Sequence, residues 1–276
     1  MRSPASGPRA VRHVGRHLRL VARRAIVRIP VRELTDEFGF SVGPGGWNHY
    51  TALLAEHDRL PDRPVEATTY GRFFLDHRVN GVRDLNDLLD LTDGPPRFAG
   101  LPRFWLGTYP WGGLSASDIG RPGPAFGWAH DEATGDDTSE LWGRGRTLWH
   151  RPCNRATLWN EWRLTVDLCA SIRDRGYSPV TARGFPLVTL LHHSDGRRRA
   201  IIVDGHHRIA VLAHLGARAA VVEVGAEIGM ADAARWHAVI GGHCTVEEAT
   251  EFFDAFFELD GSERYQSVRR SWESAP

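Results

Sequence analysis

The chain of 276 residues balances 34 arginines against 34 acidic residues and contains no lysine. Its 42% hydrophobic and 25% charged residues are typical of a globular protein, and it has no apolar run of the roughly 18 residues that span a bilayer. The missing lysine excludes a Schiff-base lysine, a Walker-type phosphate lysine and a kinase-type strand lysine. A bound phosphate must therefore be held by arginine, histidine, backbone amides or a metal.

The three cysteines, Cys153, Cys169 and Cys244, stand far apart and form no CxxC pair. Their odd number and wide spacing argue against a disulfide framework and against a structural zinc site of cysteines. The chain does not begin with the apolar stretch and small-residue cleavage site of a secretory signal. We therefore expect a cytoplasmic protein.

Residues 1–32 are predicted to be a basic N-terminal arm, because the first acidic residue is Glu33. Arginines and apolar residues share this stretch, and two interpretations stay open. In the first, it is a basic amphipathic helix that lies on an anionic membrane surface or on a partner protein. In the second, it is a basic arm without stable secondary structure. The first interpretation implies a peripheral location at the inner membrane surface.

Residues 33–150 are predicted to form a helical and loop-rich region that contains several tryptophans. A glycine-proline loop at Ser41–Tyr50 precedes a short helix that ends near His57. The stretches "TTYGRFFLDHRV" and "VRDLNDLLDL" are two further helical candidates. The aromatic residues between positions 92 and 150 indicate an ordered, packed segment. Its acidic part is a metal site or a solvated loop, and the acidic residues are Asp131, Glu132, Asp136 and Asp137.

Residues 151–276 are predicted to form an α+β domain, with a small mixed sheet and flanking helices. A helix over Asn160–Gly176 is followed by a hairpin with strands at about Pro186–His193 and Arg199–Val203. A helix over Ile209–Leu215 leads to the strand "ARAAVVEVG". Helices over Met230–Ile240 and after a capping box of Thr245 and Glu248 complete the domain. The last helix carries four phenylalanines at core spacing.

The stretch "IIVDGHHRIAVLAHLG" carries the strongest signal for function, because polar residues stand where a strand turns into a helix. Gly205 permits a tight approach of the backbone to a ligand. The first amides of the helix, from His206, His207 and Arg208, favour an anion. Arg208 can grip phosphate oxygens with two parallel bonds, and the histidines add donors whose charge responds to pH near neutrality. Asp204 is placed to hold magnesium or to orient a histidine.

A zinc site is a second interpretation of the histidines in this region. His192 and His193 form another adjacent pair beside His206 and His207. Adjacent residues of a strand point to opposite faces, so a pair of this kind does not easily place both rings on one metal.

The stretches "SIRDRGYSPV" and "AIIVDGHHRIAVLAHLGARAAVVEV" together resemble the core of the ParB/sulfiredoxin superfamily. The resemblance covers about residues 160–224, and the "DGHHR" form is similar to that of ParB-like small-molecule kinases such as the free serine kinases. It implies that the turn binds nucleotide phosphates, with ATP or another nucleotide and Mg²⁺ as cofactors. It also adds Ser171 and Arg173 to the predicted phosphate-binding residues. The second half is similar to ParB-like proteins of bacterial sugar and cell-envelope gene clusters.

Two departures from the superfamily narrow the function. Sulfiredoxin needs a cysteine where His206 stands, so its reductase chemistry is not expected here. Partition proteins carry a helix-turn-helix and a dimerisation region after this core. Only about fifty residues follow Val224 here, and they are predicted to form helices rich in aromatic residues, so chromosome partitioning is not expected.

Three functions are compatible with these patterns. The first is a nucleotide-dependent phosphotransferase for a small hydroxyl-bearing molecule, such as a sugar or an envelope or natural-product intermediate. Asp204 and His206 are candidate catalytic residues within the turn, and Glu161 and Asp167 are candidate bases outside it. The second is a non-catalytic module that binds a nucleotide or phosphosugar for a partner enzyme. The third, a ParB-like DNA-binding protein or nuclease, conflicts with the zero net charge.

Overall fold

The computed structural model of the chain describes residues 25–104, 106, 108–112, 153, 155–179 and 184–274. The N-terminal arm up to residue 24 and the acidic residues of positions 131–137 lie outside the described residues, and so does most of the tryptophan-rich segment. Within the described part, no helix has the length and apolar character needed to cross a membrane.

The described residues form a mixed α+β fold. The strands are β1 (Ala25–Pro30), β2 (Leu34–Thr35), β3 (Leu187–His192), β4 (Arg198–Asp204) and β5 (Ala219–Gly229). The helices of the N-terminal half are α1 (His49–His57), α2 (Thr69–Leu75), α3 (His77–Asn80) and α4 (Leu85–Leu89). The remaining helices are α5 (Arg155–Arg175), α6 (His206–His214), α7 (His237–Ile240), α8 (Val246–Glu258) and α9 (Ser262–Glu273).

The sheet has the strand order β1-β5-β3-β4-β2. The hairpin pair β3–β4 is antiparallel, as the sequence predicts, and its turn contains Gly196 in the left-handed region. Strand β5 runs parallel to β3, and β2 runs parallel to β4. The ends of β2 and β4 therefore point to the same edge of the sheet, the edge where Gly205 lies.

The N-terminal segment belongs to this sheet, which corrects the predicted boundary at residue 32. Strand β1 lies within the predicted arm, but it pairs with β5 along its whole length, from Ala25 opposite Val224 to Pro30 opposite Ala219. Strand β2 pairs with β4 through Thr35 opposite Ile201. Its basic residues predict an arm, whereas Val27, Ile29 and Val31 pack into the core of the sheet.

Two packed layers cover opposite faces of the sheet, because neighbouring residues of a strand point to opposite sides. Leu190 and Ile202 pack with Ile209 of α6 on one face. Leu191 and Ile201 pack on the other face against α8. Helix α8 begins at the predicted capping box of Thr245 and Glu248, and its four phenylalanines are buried as predicted; they are Phe252, Phe253, Phe256 and Phe257.

The long helix α5 and the smaller helices of the N-terminal half pack beside α6. Helix α5 begins five residues earlier than the sequence predicts, at Arg155. The predicted helix over Met230–Ile240 is divided in two. It consists of a 3-10 segment, Met230–Arg235, and the short α7. Helix α1 lies against both α5 and α6, so the N-terminal half reaches the end of the sheet where the glycine turn lies.

Candidate functional site

The turn between β4 and α6 has the predicted strand-glycine-helix form. Gly205 precedes the first residue of α6 with φ 88°, in the left-handed region that favours glycine. A Cβ atom at this position would lie 2.8 Å from the Arg208 guanidinium and 3.0 Å from Pro186. His206, His207 and Arg208 form the first turn of α6, where backbone N–H groups have no acceptor within the helix. The turn therefore presents amides and the positive end of the helix dipole.

Glu161 of α5 meets His207 of α6 beside this turn. The Glu161 Oε2 atom lies 3.2 Å from Nε2 of His207. The Tyr50 hydroxyl of α1 donates to the same oxygen over 2.9 Å. Within the described residues Glu161 Oε1 has no hydrogen-bond partner, and the Glu161 side chain is 17% exposed. One carboxylate oxygen is thus anchored by two donors, and the other is available to a ligand.

The His207 ring lies between the Thr165 hydroxyl and the Glu161 carboxylate. The Thr165 hydroxyl donates to the Glu161 carbonyl over 2.7 Å, one turn back along α5. A hydroxyl has a single hydrogen, so at its 2.8 Å contact with His207 it accepts from Nδ1. The second ring nitrogen faces the Glu161 carboxylate. Both ring nitrogens of His207 therefore face oxygen atoms of α5, at the start of α6.

The charge of Glu161 follows from two opposing effects on its pKa. Burial raises the pKa of this carboxyl, whereas the hydrogen bond and charge of His207 and the Tyr50 hydroxyl lower it. The net result is a pKa below the ordinary glutamate value. Glu161 is therefore ionised at neutral pH, with one carboxylate oxygen held between Tyr50 and His207.

Helix α1 supplies residues of the site that the sequence analysis did not identify. The Tyr50 ring packs on His207 with 4.2 Å between ring centroids. His49 lies against Tyr50 at the same centroid distance, and burial followed by the charges of His206 and His207 holds the pKa of His49 well below its usual value. Asn48 caps α1 and donates to Asp36 over 3.1 Å. No spacing rule links residue 50 to residue 161, so the sequence carried no signal for this contact.

His206 is half-buried next to His207. Burial, with the neighbouring charge of His207, lowers the pKa of His206 to about 4. The expectation that His206 changes charge near neutral pH is therefore wrong. His206 is a neutral ring at pH 7, and it is available only as a hydrogen-bonding group.

The sequence predicts that Arg208 binds a phosphate in front of α6, whereas its guanidinium is hydrogen-bonded within the protein. Its Nη2 atom donates to Asp204 over 3.0 Å, and its Nη1 atom donates to the Gly184 carbonyl over 2.7 Å. These bonds use one N–H group of each terminal guanidinium nitrogen, and they stabilise the turn between β4 and α6. A phosphate contact from Arg208 would have to use guanidinium N–H groups other than the two that donate to Asp204 and Gly184.

The described residues of the turn do not bring together a set of metal ligands. Asp204, the predicted magnesium ligand, is 71% exposed and paired with Arg208. In the ranges that the structure describes, no three side chains of His, Cys, Asp or Glu come together as metal ligands. Mg²⁺ commonly takes one or two carboxylates together with substrate phosphates. The Asp204 carboxylate, neutralised by a guanidinium, does not fit this role.

Ser171 and Arg173 lie away from the turn, which corrects their assignment to phosphate binding. They follow Glu161 by ten and twelve residues of one helix, which is about 15–18 Å along its axis. Arg173 donates to Asp58 over 3.0 Å, and Asp58 also accepts from His214 at the far end of α6. Ser171 accepts from Arg175.

Asp167 and the histidine pair of the hairpin do not converge on the turn either. Asp167 is exposed on α5 and makes no hydrogen bond or ion pair in the described structure. His192 pairs with Glu227 over 3.0 Å, and His193 pairs with Asp254 over 3.0 Å. The two histidines lie at the opposite end of the hairpin from the glycine turn, so a zinc site of the four histidines is wrong.

No protein-family model, no curated protein and no solved structure matches this chain.

Proposed function

We propose that the chain is a nucleotide-dependent phosphotransferase that acts on a small hydroxyl-bearing molecule, built on a ParB/sulfiredoxin-like core. The order of α5, the β3–β4 hairpin, the glycine turn, α6 and β5 supports this core. One observation carries the proposed activity: the ionised Glu161, held by Tyr50 and His207, lies beside the first turn of α6.

The phosphate site in this proposal is the start of α6. The amides of residues 206–208 and the helix dipole attract the terminal phosphates of a nucleotide. The His207 ring lies next to them, and Arg208 stabilises the turn through its bonds to Asp204 and Gly184. Preorganised amides and the helix dipole stabilise the charge that develops on a transferring phosphoryl group.

Glu161 is the general base in this proposal. The acceptor hydroxyl donates to Oε1, the oxygen that the described residues leave without a partner. As the hydroxyl oxygen forms a bond to the terminal phosphorus, the bond from that phosphorus to the bridging oxygen breaks and a nucleoside diphosphate leaves. The hydroxyl proton moves to Glu161. No step depends on a metal that the protein itself holds.

The test is the release of nucleoside diphosphate by the full chain with a panel of sugars, amino acids and polyols as acceptors. We expect Glu161→Gln to reduce acceptor-dependent release by about 10²–10⁴-fold, the usual contribution of a general base, and to leave nucleotide affinity within about threefold. Glu227→Gln is the matched control, because Glu227 also pairs with a histidine but lies on strand β5 and not on α5. It should keep full activity.

Two outcomes would contradict the proposal. In the first, the wild-type chain binds nucleotide but releases no diphosphate with any acceptor. That result would favour a non-catalytic nucleotide or phosphosugar binding module. In the second, Glu161→Gln and Glu227→Gln retain the same turnover, and Glu161 is then not the base.

A further inference from the structure

A second concave site lies at the opposite end of α6 from the glycine turn. It is a groove of about 650 Å³ between the segment Pro30–Arg32, the glycine loop Gly43–Gly46, helix α1 and the end of α6. Cavities of roughly 300–1,000 Å³ commonly hold small ligands. The nine residues of α6 put this groove about 12 Å from the turn along the helix axis.

The floor of the groove is apolar and its mouth is basic. Val31, Val42 and Trp47 line it together with small residues of α1 such as Ala52 and Ala55. Arg32 and Arg218 stand at its rim, and both are exposed. Among the described residues that line the groove there is no aspartate and no glutamate.

The two rim arginines are held next to each other by the backbone. The Val31 amide donates to the Arg218 carbonyl over 3.0 Å, which joins the segment of Arg32 to the residue at position 218. The glycine loop closes on Arg32, because a Cβ atom on Gly43 would lie 2.7 Å from the Arg32 Cα atom. Only glycine permits this approach, so the loop fixes the position of Arg32.

The guanidinium groups of these two arginines have no protein partner in the described part of the chain. Every other described arginine except Arg28 has a hydrogen bond, an ion pair or a ring contact. For comparison, Arg198 pairs with Glu33 and Arg199 donates to the Phe256 carbonyl. Two unneutralised guanidiniums above an apolar floor are complementary to an anion attached to an apolar body.

We propose that this groove binds a small organic phosphate monoester. The phosphate lies between Arg32 and Arg218, and the apolar body of the ligand lies on Val42, Trp47 and Ala52. A phosphate monoester carries close to two negative charges at neutral pH, which matches two guanidiniums. This inference does not rest on the proposed phosphotransferase activity, because it concerns different residues and a binding equilibrium alone.

The test is calorimetric titration of the full chain with phenyl phosphate. Inorganic phosphate lacks the apolar body and benzyl alcohol lacks the charge, so each should bind at least about tenfold more weakly. Arg32→Gln and Arg218→Gln should each weaken phenyl phosphate binding by about tenfold or more, because hydrogen bonds to charged groups are typically worth this much. Arg28→Gln removes an equally unpaired arginine outside the groove lining and should leave the affinity unchanged.

A steric variant and a site variant complete the design. Ala55→Phe places a ring in the groove from an exposed position of α1, so it should abolish binding without disturbing the core. His207→Gln, which is predicted to weaken phosphate binding at the glycine turn, should have no effect on phenyl phosphate, and this separates the groove from the turn. Three results would overturn the inference: no binding of phenyl phosphate, an equal loss in Arg28→Gln, or inorganic phosphate binding as tightly as the ester.

Discussion

The ion pair between Glu161 and His207 gives a quantitative prediction for a double-mutant cycle. At the observed 3.2 Å, two unit charges interact by about 5 kcal/mol when the effective dielectric constant is about 20. Removal of both groups from water offsets much of this energy, since their side chains are only 17% and 28% exposed. We expect a coupling free energy of about 1–3 kcal/mol between Glu161→Gln and His207→Gln, the range for residues in contact within one network.

The assay is urea unfolding of the wild type, the two single variants and the double variant at pH 7. The pair His192–Glu227 is the matched control, because its atoms are 3.0 Å apart but the side chains are 39% and 62% exposed. Its coupling should stay below about 1 kcal/mol, as for other exposed pairs. A Glu161–His207 coupling as small as the control value would refute the charged pair that the site requires.

The same cycle has a predicted dependence on pH. Although burial raises the pKa of Glu161, the hydrogen bond and charge of His207 and the Tyr50 hydroxyl bring it below the ordinary value of 4.5. A carboxyl with a lowered pKa contributes stability above its unfolded pKa and loses it as the pH falls through the folded pKa. The coupling should therefore persist at pH 5 and decrease below about pH 4. A coupling that is constant down to pH 3 would contradict this assignment.

Three further predictions concern the scaffold. Gly71→Ala should destabilise the chain by more than about 3 kcal/mol, beyond the usual range for point mutants, because its Cβ would lie 1.9 Å from the Val65 carbonyl oxygen; Gly100→Ala, with open space around it, is the control for urea unfolding. Thr245→Ala should cost about 1 kcal/mol in the same measurement, the usual value of an N-cap. Burial raises the pKa of Glu37 to about 8, which makes its ionisation destabilising. The stability gain of Glu37→Gln over wild type should therefore grow from pH 5 to pH 8 and then level off, and a pH-independent difference would refute it.

Local patterns were sufficient to predict the elements around the glycine turn. The hairpin follows from two apolar runs joined by Ser194, Asp195 and Gly196, and both strands agree with the structure to within one residue at each end. The capping box at Thr245 depends on contacts within four residues, and it is present. These features are determined by neighbours in sequence, so propensity and spacing identify them.

Contacts between distant segments were not predictable in this way. Tyr50 reaches Glu161 across 111 positions of sequence, and strand β1 reaches β5 across almost 200. Neither contact leaves a periodic signal, since each depends on how α1 and β1 pack in three dimensions. The same reason explains the errors at Arg173 and Arg208, whose acidic partners neutralise the charge that the sequence analysis assigned to phosphate.

The central claim is that the start of α6, which includes His207, binds nucleotide phosphates. Calorimetric titration of the full chain with ATP and with other nucleoside triphosphates measures this directly. We predict measurable binding by the wild type and no change in the matched variant His192→Gln. His207→Gln should lose about tenfold or more, because a hydrogen bond to the charged phosphate is removed. The absence of binding by every nucleoside triphosphate, or equal affinities of the two histidine variants, would contradict the claim.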